Sequence, residues 1–199
     1  MLRALIEKLK QTEHGFKHIM VAGDALLQDS SLDHFQLAKQ LITEVSYQGR
    51  MLGVYLLGRL AALEPKAFIL LRDQVSKDAN WRVQEMLAKA FDDYCRQINY
   101  EKALAIIEQW LDNPDTNVKR AVIEGLRIWT SRPYFRDNPQ KAIAYISKWK
   151  ASDSEYLRKS VGNALRDIRK KYPHLINQEI ETWDLTNKYI AYTRKLLDK

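Results

Sequence analysis

The stretch "EKALAIIEQWLDNPDTNVKRAVIEGLRIWTSRP" (residues 101–133) is followed 39 residues on by its own echo, "QKAIAYISKWKASDSEYLRKSVGNALRDIRKKYP" (140–173). At that offset Lys102 meets Lys141, Ala103 meets Ala142, Ile107 meets Ile146 and Trp110 meets Trp149. Further on, Val118 meets Leu157, Val122 meets Val161 and Leu126 meets Leu165. In each copy apolar residues recur at spacings of three and four, the period of a helix with one buried face. Turn-forming residues, "NPDTN" in one and "ASDSE" in the other, interrupt that period midway. Each copy therefore reads as two helices joined by a turn.

The first-helix pattern returns upstream in "PKAFILLRDQV" (65–75) and downstream in "PHLINQEIETW" (173–183), both opening on a proline, which a first helical turn tolerates. A further second helix is expected around "SYQGRMLGVYLLGRLAAL" (46–63). No alternating strand pattern occurs. Helical hairpins repeating every 35 to 40 residues are the mark of an all-α solenoid of HEAT or armadillo type, built of stacked antiparallel helix pairs. The pairs are expected near 33–63, 65–97, 100–131 and 139–171, with a helical segment over 173–197, in one domain spanning 1–199. Second helices in such folds usually line the concave, functional surface.

With 199 residues, 46% hydrophobic and 29% charged, the chain can bury one substantial core. A single cysteine, Cys95, excludes an intrachain disulfide. The four histidines do not cluster with other ligands: His14 and His18 share a helical spacing, but Gly15 stands where the helix-borne zinc motif needs a glutamate. No metal or nucleotide cofactor is expected, since neither a P-loop nor a Gly-rich dinucleotide motif is present. The charged N-terminus, "MLRALIEKLK", does not read as a signal peptide, and "MLGVYLLG" (51–58) is too short to span a bilayer. A cytoplasmic monomer is the expectation. Residues 116–171 hold 14 Lys and Arg against 5 Asp and Glu, while the whole chain carries +7, so an anionic partner is expected there.

Helical phase selects candidate site residues. In the helix opening at "NWRVQE", Val83, Met86, Leu87, Ala90, Phe91 and Tyr94 form the core stripe, which leaves Trp81, Glu85, Ala88 and Asp92 on the opposite side. Glu85 also stands four residues from Lys89, a spacing that allows an ion pair. The other four tryptophans fall at core positions. Opposite the cores of the next two second helices lie Arg120, Glu124 and Arg127, then Lys159, Asn163, Arg166 and Lys170. This face would run from an aromatic and acidic spot into a basic track suited to a polyanion.

The layout resembles the HEAT-like DNA alkylation repair glycosylases of the AlkC and AlkD group. The resemblance covers roughly residues 46–183 and rests on "NWRVQEMLAKAF", "DTNVKRAVIEGLRIW", "ISKWKASDSEYLRKSVGNALRDI" and the following "KYP". It implies duplex DNA, preferably alkylated, as partner, and excision of cationic N3- or N7-alkylated purines without a cofactor. It further implies catalytic roles for Trp81 and Glu85 and a DNA contact at Arg120, with Asp167 near an acidic position of the AlkC-like branch. The chain departs from the pattern at Asn163, where AlkD-like members carry a second cleft tryptophan. It also departs in "HGFKHIMVAGDALLQDSS" (14–31), which lacks a Gly-Ile-x-x-Pro-like segment. The same face would also serve a non-catalytic module that binds nucleic acid or a partner protein.

Overall fold

The computed structural model describes residues 2–198, which form thirteen α-helices and one 3-10 turn and no strand. Two helices open the chain, α1 (Leu2–Lys10) and α2 (Lys17–Leu27). Five pairs follow: α3 (His34–Leu41) with α4 (Tyr47–Leu60), α5 (Pro65–Asp73) with α6 (Trp81–Ile98), α7 (Leu104–Leu111) with α8 (Thr116–Trp129), α10 (Pro139–Ser147) with α11 (Glu155–Arg169), and α12 (Pro173–Glu181) with α13 (Lys188–Leu196). A short α9 (Pro133–Asp137) connects α8 to α10. The segment expected over 173–197 thus resolves into a fifth pair. No helix among the described residues is long and apolar enough to cross a membrane.

The boundaries follow from local chemistry. Ser46, Asn80, Asp115 and Ser154 each stand in extended geometry before a second helix, and each side chain accepts a backbone N–H of the first turn. Such caps satisfy donors that no helical carbonyl can reach. Pro65, Pro139 and Pro173 open first helices, where their missing N–H costs nothing.

The chain falls into two compact units, Met1–Asn99 and Tyr100–Lys199. In the first, α4 is wrapped by α1, α2, α3, α5 and α6. It therefore buries Met51, Leu52, Val54, Leu56 and Leu57 all round its circumference rather than on one stripe. Its contact with α6 is close: a Cβ added to Gly58 would stand 2.7 Å from the Ala90 Cβ. In the second unit, α8 packs on α7, α10 and α11. There Trp129 meets Phe135 with ring centroids 5.6 Å apart, and Trp110, Val122 and Leu165 of the same unit are fully buried.

Candidate active site and nucleic-acid-contacting residues

Helix α6 begins where it does because its entry is fixed from behind. Asn80 accepts the Arg82 N–H at 2.9 Å and donates its own N–H to Asp78 at 2.8 Å. Asp78 is held by Arg50 of α4, whose Nε donates at 2.5 Å. Gln84, buried, points backwards and donates to the carbonyls of Val75, Ser76 and Asp78 at 2.7 to 3.1 Å. The backbone that presents Trp81 and Glu85 is thereby pinned on both sides of the cap.

Trp81 is 51% exposed, as its phase demands. Its ring is not bare: the Arg82 guanidinium carbon lies 4.5 Å from the indole centroid. Glu85, half-buried, makes no hydrogen bond or ion pair among the described residues. Lys89 does not reach it, because the Lys89 ammonium sits 5.0 Å from the Phe16 ring centroid. Ala88 is buried rather than open, since α6 is covered on more than one side. Asp92 is half-buried and lines a pocket of about 200 Å³ together with Tyr55, Arg59, Asp93 and Arg96. There Tyr55 donates to Asp24, and burial with that bond raises its phenol to about 12.

In the second unit the basic stripe is more tightly bound up than helical phase suggests. Arg120 corrects the expectation of an exposed side chain, for it is only 6% exposed. Its Nε donates to Ser160 Oγ at 2.9 Å, its Nη2 to Glu124 at 3.4 Å, and its guanidinium carbon lies 3.8 Å from the Tyr156 ring centroid. Ser160 and Tyr156 belong to α11, which packs against α8, so the neighbouring hairpin buries the residue. Glu124 also holds Arg127 at 3.0 Å; Arg127 stands 3.9 Å from Asp167, and Lys170 pairs with Asp167 at 2.9 Å.

Lys159 is exposed and bonded to Glu155 at 2.8 Å, a contact that lowers the Glu155 carboxyl below its usual range. Arg166 is half-buried, with its Nη1 3.5 Å from the Leu196 carbonyl. Asn163 is half-buried and makes no hydrogen bond among the described residues. Trp149, expected in the core, is half-buried and carries the Lys119 ammonium 3.9 Å from its ring centroid; burial lowers the pKa of that amine.

Arg50, Gln84 and Arg158 did not stand out in the sequence. All three occupy the fourth position after an N-cap, at Ser46, Asn80 and Ser154. Arg50 donates to the carbonyls of Glu44 and Val45, and Arg158 to those of Ser152 and Asp153, in each case the two residues before the cap. A polar residue four places after the caps of the first four second helices was the available signal. The histidines do not converge: His14 Nδ1 meets Arg82 at 3.1 Å, whereas His18 is half-buried and its pKa is lowered by burial.

Residues 21–193, from within α2 to within α13, match the family of DNA alkylation repair enzymes. The chain belongs to this family. It is 46% identical to a crystal structure of AlkD2 from Streptococcus mutans, covering 99% of this chain and 95% of that one at a TM-score of 0.92. It is 44% identical to smu.31 from Streptococcus mutans UA159, covering 99% and 97% at a TM-score of 0.88. A Pseudomonas fluorescens alkylpurine DNA glycosylase, AlkC, bound to DNA containing an abasic site analog, shares the fold at 22% identity, 92% and 60% coverage and a TM-score of 0.51. The uncharacterized protein YhaZ of Bacillus subtilis is 32% identical over 102 residues, which is 49% of this chain and only 29% of that longer protein. The all-α helical-repeat fold expected from the sequence is the one these relatives share.

Proposed function

We propose that the chain binds alkylated duplex DNA and hydrolyses the N-glycosidic bond of cationic N3- or N7-alkylated purines. The observation that carries this reading is Glu85: a half-buried carboxylate without a partner among the described residues, one turn after an exposed tryptophan, in a DNA alkylation repair family member. An alkylated purine is already a cation, so breaking the bond from C1′ to the base sends the bonding electrons onto the base and neutralises it. Positive charge then develops on the sugar. Glu85 lowers the energy of that charge and takes the proton from the water that adds at C1′, leaving a free base and an abasic site. A carboxylate without a resident cation keeps its full field for the transition state.

Phosphate contacts fall to Lys159, Arg166 and Lys170, with Arg127 beside them; these hold DNA without reading its sequence. Arg120, buried and bonded to Ser160 and Glu124, acts behind them by joining α8 to α11. A second reading, a DNA-binding member without catalysis, is favoured by the guanidinium already over Trp81 and by Asn163 in place of a second cleft tryptophan.

Glu85→Gln separates the two. It keeps size and hydrogen bonding and removes charge, so excision should fall by about a hundredfold to a thousandfold, ~2.7 to 4 kcal/mol, with affinity for undamaged duplex unchanged. Equal excision by Glu85→Gln and the parent defeats the assignment.

A further inference from the structure

Arg82 links the entry of α6 to the start of α4 and to the loop between α1 and α2. Its guanidinium carbon lies 4.5 Å from the Trp81 ring centroid and 5.1 Å from that of Tyr47, at the start of α4. Its Nη2 stands 3.3 Å from Glu13 Oε1 and 3.1 Å from His14 Nδ1, in the loop between α1 and α2. That loop is fixed in turn, because the Tyr47 hydroxyl donates to the Glu13 carbonyl at 3.0 Å and Gly15 takes the left-handed φ of 89° that glycine alone adopts without strain. The Arg82 side chain is 16% exposed, and its Nε, buried, has no acceptor among the described residues. Two rings, a carboxylate and an imidazole thus surround one delocalised cation, the arrangement that recognises organic cations.

We propose that Arg82 is a resident cation on Trp81, so that a cationic base gains this indole only by displacing the guanidinium, and that Arg82 with its Glu13–His14 clamp is a specificity-setting element of this chain. The inference rests on the reading that Trp81 receives a charged base. It predicts that a neutral base, which offers the ring less than the guanidinium does, is refused. A cation–ring contact is worth about 2- to 30-fold in affinity, so competition from a resident of the same kind weakens a cationic ligand by a factor in that range.

The test is charge-selective quenching of tryptophan fluorescence, with Trp81→Phe subtracted as background. In the parent, iodide should quench Trp81 well and caesium poorly. In Arg82→Met, which keeps the length of the side chain and removes its charge, caesium should gain and iodide should lose. Binding of 7-methylguanosine at mildly acidic pH, where its ring is cationic, should tighten about 2- to 30-fold, and guanosine, refused by the parent, should begin to bind. Glu13→Gln, which loosens the clamp without touching either ring, should move both readouts the same way by less, and it serves if Arg82→Met folds poorly. Unchanged quencher selectivity, or altered selectivity without tighter binding of the cationic nucleoside, overturns the inference. Excision is scored separately: a parent that excises nothing removes the catalytic reading, whereas the nucleoside titration decides the role of Arg82.

Discussion

Glu85, Arg120 and Lys159 hold the same register, five residues past the caps Asn80, Asp115 and Ser154, yet they meet three different fates. Glu85 is half-buried and unpaired among the described residues, Lys159 is exposed and paired with Glu155, and Arg120 is buried against Tyr156, Ser160 and Glu124. Arg120→Met should therefore act on stability first, since it strips partners from buried Ser160 and half-buried Glu124. A loss of ~1 to 3 kcal/mol by denaturant unfolding is expected, with the salt dependence of DNA binding unchanged. A flattened salt dependence with no loss of stability would make Arg120 a phosphate contact instead. Residue type and repeat position were legible in the sequence at all three places. Burial at Arg120 was not, because the phase of α8 says nothing of the Tyr156 and Ser160 that α11 lays over it.

At the scale of the element, the caps and the apolar stripes were readable because each is a local signal with a fixed period. The inward-turning residue four places past the cap was hidden. Two arginines, Arg50 and Arg158, and Gln84 look like exposed polar positions, although each folds back on the carbonyls that precede its own helix. Gln84 is the clearest case, since its amide serves Val75, Ser76 and Asp78 at the turn that aims Trp81. Gln84→Ala should lower stability by ~1 to 3 kcal/mol, as carbonyls lose their donor. It should also slow excision more than it weakens undamaged-DNA binding, because the cap and the carboxylate shift together. Thermal unfolding alongside single-turnover excision checks both, and normal excision in a destabilised protein would confine Gln84 to folding.

Across the whole molecule, the repeat offset of 39 residues revealed the fold class, and the surplus of 14 cations over 5 anions in residues 116–171 pointed to a polyanion. The structure threads that surplus with Glu124, Glu155 and Asp167, so fewer charges stand free than the count suggests. Lys159→Ala, Arg166→Ala and Lys170→Ala combined should weaken duplex binding and lower the slope of log affinity against log salt by as much as about 2.7, at about 0.9 for each phosphate no longer neutralised. An unchanged slope would locate the DNA-binding surface elsewhere. The most direct measurement is the release of free 3-methyladenine and 7-methylguanine from methylated duplex DNA by an excess of the purified 199-residue chain. Release well above spontaneous depurination in the parent, falling about a hundredfold or more in Glu85→Gln, is the predicted result. Tight binding of the methylated duplex with release no faster than the uncatalysed background would contradict the catalytic account.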